Sequence, residues 1–162
     1  MIWSDLATEF SGRISARGGA HGGNGGFVEV SSARALSYSG LTDLRAPAGD
    51  FGTLLLDPDD ILVPGTISEA DVETALSLGN LTLDTSELCC GSDPGDITIR
   101  TDIDWTSGTT FELIADRDID ILGAINGGAD PAAAFVLTAT GTVTLAATSA
   151  IDVSKIAPLT SF

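Results

Sequence analysis

The stretches FELIADRDIDI, residues 111–121, and FVLTATGTVTL, residues 135–145, can be laid over one another position by position. Phe111 then falls on Phe135, Leu113 on Leu137, Ile119 on Val143 and Ile121 on Leu145, each pair 24 residues apart. Upstream, Ile97 and Ile99 precede Ile119 and Ile121 by 22 residues. Apolar residues take alternate places in these stretches, the pattern of a strand that buries one face. Matched apolar pairs at a period of roughly 20–25 residues point to a solenoid, whose coils bury their inward residues only by stacking on their neighbours. The expected fold is therefore all-β, a parallel β-helix.

The same alternation extends outward from this pair. It recurs in GRISA (12–16), FVEVSS (27–32), LTDLRA (41–46), GTLLLDP (52–58), GNLTLDTS (79–86), GDITIRTDIDW (95–105) and AIDVS (150–154), with Gly, Asn, Asp or Ser at the breaks. One segment differs. In TISEADVETALSLGN (66–80), Ser68 is placed to cap a helix with Asp71 three residues on. Val72, Ala75 and Leu76 follow at helical spacing and Gly79 ends the run, which predicts a helix over 69–78. At about 4.8 Å per coil, the chain would make about six or seven coils and a rod of roughly 30 Å. GGAHGGNGG, residues 18–26, would supply sharp corners before the strand at Phe27, because glycine enters φ > 0 without steric cost. A calcium-binding glycine repeat would need an aspartate at a fixed place and tandem copies; this stretch has neither.

Composition excludes several function classes. Seven basic residues against 23 acidic ones leave a formal charge of −16, which repels nucleic acid phosphates and anionic lipid alike. With 43% hydrophobic residues and its acids dispersed, the chain is nonetheless expected to fold. No stretch approaches the roughly 20 apolar residues of a membrane-spanning helix, so no membrane insertion is expected. Cys89 and Cys90 are adjacent and cannot join distant parts of a fold. They read as two small hydrophobic side chains or as a vicinal disulfide, and the single His21 is too far off in sequence to complete a metal site.

A longer phrase carries a resemblance. Phe10, Gly12, Ile14, Ala16, Arg17, Gly18 and Gly19 fit F-x-G-x-I-x-A-R-G-G. Gly22, Gly23, Gly25, Gly26, Val28, Glu29, Val30 and Ser31 fit G-G-x-G-G-x-V-E-V-S, and Gly49 and Gly52 to Pro58 fit G-x-x-G-T-L-L-L-D-P. In these phrases, and in the looser cadence of GDITIRTDIDW and FELIADRDIDILGAI, the chain resembles the filamentous haemagglutinin-like exoproteins of bacterial two-partner secretion. The resemblance implies a right-handed parallel β-helix within a long secreted fibre on the bacterial cell surface. It also implies export through an outer-membrane pore partner, and work as an adhesin or toxin-carrying stalk that meets a ligand on a host or neighbouring cell. Residues 1–162 would form a single β-helix segment of such an exoprotein, without its signal peptide or secretion domain. The open ends of the segment would favour end-to-end self-association.

No catalytic, cofactor-binding or metal-binding residue is assigned, so the expected role is non-catalytic. The rival reading is a carbohydrate-active β-helix enzyme or polysaccharide-binding module. Glycoside hydrolysis needs two carboxyls roughly 5–9.5 Å apart, and Asp102 and Asp104, or Asp118 and Asp120, would lie about 6.6 Å apart along a strand. Alternation with Ile103, Ile119 and Ile121 explains both pairs as the solvent faces of half-buried strands. Asp57 to Asp60 read as a turn before a calcium site, Trp3 and Trp105 as covers of a solenoid end or side before sugar platforms. His21 reads as solvated, and Arg17 as a bridge to a neighbouring acid. Three or more convergent carboxylates with an arginine in a deep cleft would favour the enzyme.

Overall fold

The computed structural model describes residues 1–86 and 94–153, and the backbone of 155–156. Cys89 and Cys90 lie outside the described residues. The described chain is a parallel β-solenoid whose coils have three faces. The N-terminal strands are β1 (Ala7–Phe10) and β2 (Arg13–Ser15), followed by a coil of β3 (Phe27–Ser31), β4 (Ala35–Tyr38) and β5 (Leu41–Asp43). The next coil holds β6 (Thr53–Asp57), β7 (Ile61–Val63) and helix α1 (Glu69–Leu78). Then come β8 (Asn80–Asp84), β9 (Ile97–Ile99) and β10 (Ile103–Asp104), and β11 (Thr110–Ala115), β12 (Ile119–Ile121) and β13 (Ile125–Asn126). The last are β14 (Ala134–Ala139), β15 (Val143–Leu145), β16 (Ile151–Asp152) and β17 (Lys155–Ile156).

Every strand pairing is parallel. The first face is one sheet in the order β17-β14-β11-β8-β6-β3. The second face holds β1-β4 and, separately, β15-β12-β9-β7, and the third holds β2-β5 and β10-β13-β16. The registers are those of the sequence repeat: Phe111 opposes Phe135, Leu113 opposes Leu137, and Ile119 lies between Ile97 and Val143. Inward positions therefore form apolar columns. Val28, Leu54, Leu81, Phe111 and Phe135 make one, and Ile61, Ile97 and Ile119 another, all within the single core.

The coil number differs from expectation. Six strands on the first face bound about five turns, not six or seven. Coil length is the reason: Phe27 pairs with Thr53, 26 residues on, and Thr53 with Asn80, 27 on. Leu81 pairs with Phe111, 30 residues on, and only the later coils shorten to the 24 between Thr110 and Ala134. The repeat seen in residues 97–145 is the short end of this range, so extending it over the chain overcounts coils. β1, β4 and β7 fall outside the alternating runs read from the sequence.

The helix occupies residues 69–78, as its capping pattern predicts. Ser68 Oγ accepts the Asp71 amide N–H at 3.2 Å, and Val72, Ala75 and Leu76 are buried. Its place in the coil is what the sequence did not disclose. α1 stands where a third-face strand would be, packed between β5 and β10, and so divides that face into two sheets. Its C-terminal carbonyls are satisfied by neighbouring coils: Leu76 O accepts from Ser107 Oγ and Thr109 Oγ1, and Leu78 O from the Leu44 N–H.

The glycine-rich corner works in two ways. In residues 18–26 only Gly22 and Gly23 have positive φ, +146° and +96°. Elsewhere the need is close approach. A Cβ on Gly52 would stand 2.1 Å from the Gly26 carbonyl oxygen and 2.7 Å from the Gly25 carbonyl carbon, so the backbone of two coils meets where a side chain would sit.

Candidate functional site

The carboxylates of the outer surface are organised as columns that join coils. Asp60, Asp96 and Asp118 each precede an equivalent strand of the second face. Asp60 Oδ1 accepts the Asp96 N–H at 2.8 Å, Asp96 Oδ1 the Asp118 N–H at 3.3 Å, and Asp118 Oδ1 the Thr142 N–H at 2.7 Å. Each carboxylate thus satisfies a backbone donor at the corner one coil further on. Arg117 adds a cation to this column, bonding both oxygens of Asp96 and lying 3.2 Å from Asp118 Oδ2.

The third face repeats the device. Asp102 Oδ1 accepts the Ala124 N–H at 2.7 Å, and Asp104 Oδ1 accepts the Asn126 amide at 2.6 Å. Glu73 of α1 reaches across to accept the Asp104 N–H at 2.9 Å. Asp102 and Asp104 project outward on either side of the fully buried Ile103, and Asp118 and Asp120 do so around Ile119. Their alternation is the one read from the sequence. What the sequence did not reveal is that Asp102, Asp104 and Asp118 accept hydrogen bonds from the next coil, since the partners are 22 or 24 residues away.

One acid is buried. Asp43, at the end of β5, is 2% exposed and receives Arg45 Nε and Nη2 at 2.9 and 2.8 Å, with Arg17 Nη1 at 3.7 Å. Arg17 accordingly bridges a neighbouring acid. The hydrogen bonds from the Arg45 side chain are the main reason that the Asp43 carboxyl titrates at about 2 rather than 3.8. Because the folded pKa is depressed, this contribution to stability is complete above 3.8 and is lost as pH falls toward about 2. With both arginines nearly half exposed, solvent screens the cluster and keeps its contribution modest. Asp43→Asn is therefore expected to lower the melting temperature at pH 7, with the deficit vanishing by about pH 2. A deficit unchanged between those pH values would disprove the assignment.

The remaining candidates stand apart from one another. Trp105 is 4% exposed, meets Phe111 edge-on at 6.2 Å between ring centres and donates Nε1–H to Thr109 O. It is a core residue, neither a sugar platform nor a cover of a solenoid end. Trp3 is 47% exposed near the N-terminal end, and His21 is exposed. Asp57 to Asp60 form the end of β6 and the following corner, where Asp60 serves the second-face column. Among the described residues no group of three or more His, Cys, Asp or Glu side chains is arranged to hold a metal ion.

Shallow grooves follow the corners. One of about 520 Å³ is lined by Asp50, Phe51, Asn80, Ser107 and Asp130 and spans successive coils. Its polar groups are already bonded: Asn80 Oδ1 accepts the Thr110 N–H, Asp50 pairs with Asn24, and Asp130 Oδ1 accepts the Ala132 N–H. A second, of about 270 Å³, lies beside α1 and contains Glu73 and Asp104. Each of these grooves has two carboxylates and no arginine. A third, of about 230 Å³, pairs Arg34 with a single acid, Asp60. No helix among the described residues is long and apolar enough to cross a membrane. Comparisons with family models, with curated proteins and with solved structures give no match to this chain.

Proposed function

We propose that this chain is a structural and adhesive shaft segment of a secreted haemagglutinin-like surface fibre, with no chemistry of its own. The observation that supports the reading is the employment of its surface acids. Asp60, Asp96, Asp118, Asp102 and Asp104 accept hydrogen bonds from successive coils, an arrangement that holds a rod together. A hydrolase active site needs instead two carboxyls free to exchange protons on either side of a bound sugar. On this proposal the full-length protein leaves the cell through an outer-membrane pore partner, and the outward columns face a ligand on a host or neighbouring cell. A second reading, a polysaccharide-binding or carbohydrate-active module, is favoured by one feature, the groove of about 520 Å³ at Asp50, Asn80 and Asp130.

A two-part assay separates them. The chain is incubated with a panel of acidic and neutral polysaccharides, and reducing ends and bound polymer are measured. The shaft reading expects no release above buffer and no saturable binding. Release of reducing ends that falls by about 10²-fold or more in Asp104→Asn or Asp130→Asn would replace it with the enzyme. Saturable binding lost in Asn80→Ala would replace it with the binding module.

A further inference from the structure

Inside the stack, the coil of β3, β4 and β5 meets the coil of β6, β7 and α1 unlike any other described pair of coils. On the first face β3 and β6 form a full ladder, from Phe27 and Thr53 to Ser31 and Asp57. On the second face β4 pairs with β1 and β7 with β9, and a single bridge between Tyr38 and Ile67 joins the two coils there. On the third face β5 pairs with β2, and α1 packs against it where a strand would continue the ladder. Two of the three ladders are therefore interrupted at one interface. The next interface lacks only the third-face ladder, and the two after it have all three.

The first-face side of this interface is tightly fixed. Gly25 N–H donates to Asp50 O at 2.9 Å, Thr53 N–H to Gly26 O at 3.1 Å and Ser32 N–H to Asp57 O at 3.0 Å. Asn24 and Asp50 exchange two further hydrogen bonds, at 3.0 and 3.3 Å. The close approach of Gly26 and Gly52 brings the two backbones into contact along the same side. Away from it, isolated bonds replace ladders: Asp59 N–H to Arg34 O at 3.2 Å, Tyr38 N–H to Thr66 O at 2.8 Å and Leu44 N–H to Leu78 O at 3.0 Å. Apolar packing supplies the rest, with Leu44 against Gly79 and with Val72 and Leu76 fully buried. Such packing is non-directional, so it opposes separation without fixing the tilt between coils as a ladder does.

We infer that this interface is a hinge. The coils on either side of it part on the second and third faces, while the β3–β6 ladder and the glycine contact stay closed as the axis. Because a solenoid's stability is carried interface by interface, a rod containing this chain takes up bending or tension here first. The hinge lies between residues 34–44 and 59–78, inside the stack, so it does not depend on what adjoins either end of the chain. It also holds whether or not the adhesive reading does.

Hydrogen exchange of the wild-type chain, followed residue by residue at low urea concentrations, tests the hinge. The comparators are Ile61 and Ile97, whose N–H groups bond Asp96 O and Asp118 O across the next two interfaces. Tyr38 and Leu44 are expected to share one opening and to be protected at least about tenfold less than these two. Gly25, Ser32 and Thr53, along the axis, are expected to match Ile61 and Ile97. Equal protection of Tyr38, Leu44 and Ile97 overturns the hinge. Loss of protection at Gly25, Ser32 and Thr53 together with Tyr38 and Leu44 also overturns it, because the coil then peels away whole. Ser68→Ala, which removes the helix cap, should speed exchange at Tyr38 and Leu44 by the same factor, about fivefold, and leave Ile97 unchanged. A response at Tyr38 without one at Leu44, which bonds the far end of α1, would mean that the helix frays alone, against the proposal. Should the variant fail to fold, the wild-type pattern still decides.

Discussion

Phe111→Ala is expected to lower the unfolding free energy by about 3–5 kcal/mol, the range for deleting a large aromatic side chain from a close-packed core. Phe111 is fully buried and stands between Leu81 and Phe135 in the first-face column. Its ring lies 5.5 Å from that of Phe135 and 6.2 Å from that of Trp105. No neighbour can move into the vacated space without leaving its own column, because each inward residue is held in register by ladder hydrogen bonds on both sides. In a solenoid such a loss has a second effect. Stability is approximately a sum over coils and the interfaces between them, so a weakened interface lets one part of the stack open while the other persists. Urea denaturation followed by far-ultraviolet circular dichroism should therefore shift to lower midpoint and broaden. A shift corresponding to less than about 1 kcal/mol would mean that the column is loosely packed. The control is Phe27→Ala on the outward side of the same sheet, 64% exposed, which is expected to change stability by about 0.5 kcal/mol or less.

Gly52→Val is the second large effect, and its origin is contact rather than conformation. Gly52 has no positive φ, so a side chain there meets no intrinsic backbone penalty. The Cβ would nevertheless lie 2.1 Å from Gly26 O, 2.7 Å from Gly25 C and 2.8 Å from Gly26 N, all of them backbone atoms that cannot rotate aside. Relief requires the two coils to separate at that corner. This breaks the bond from Thr53 N–H to Gly26 O and the one from Gly25 N–H to Asp50 O. Overpacking typically costs about 1–3 kcal/mol, and a clash with backbone atoms that cannot rotate aside puts Gly52→Val at the upper end, about 3 kcal/mol. Gly22→Ala provides the contrast, because nothing lies within 4 Å of its Cβ and only its φ of +146° opposes substitution. Its expected cost is about 1 kcal/mol. Hydrogen exchange should show lost protection at residues 25–27 and 52–54 in Gly52→Val and no such change in Gly22→Ala. Equal effects of the two variants would refute the distinction between close approach and strained backbone.

The columns also explain why the chemistry was harder to read than the fold. An acid alternating with isoleucine announces that it faces solvent, and Asp102, Asp104, Asp118 and Asp120 do face it at least in part. The alternation carries no information on what each carboxylate touches, because the partner of Asp60 is 36 residues away and that of Asp118 is 24. Asp43 illustrates the same gap from inside. Nothing in LTDLRA marks Asp43 as buried, yet at the end of β5 it lies beneath Arg17 and Arg45. Trp105 is the reverse case, a residue with a polar tip that the coil draws into the core.

The sequence by itself determined the parallel stacking and, over residues 97–145, its register. Inward apolar residues must recur at the same place in every coil, and that recurrence is written in Phe111 and Phe135, Leu113 and Leu137, Ile119 and Val143. It also determined the helix at 69–78, whose cap and apolar face are local features. Only the tertiary structure decided the number of turns and the position of α1 between β5 and β10. The partners of the surface carboxylates and the contact at Gly52 were settled there too. The physical reason is common to all four. They depend on how much chain each coil spends in its corners before returning to the first face. That length varies between 24 and 30 residues among β3, β6, β8, β11 and β14, so a period read in one part of the chain does not fix what lies beside a given residue in another.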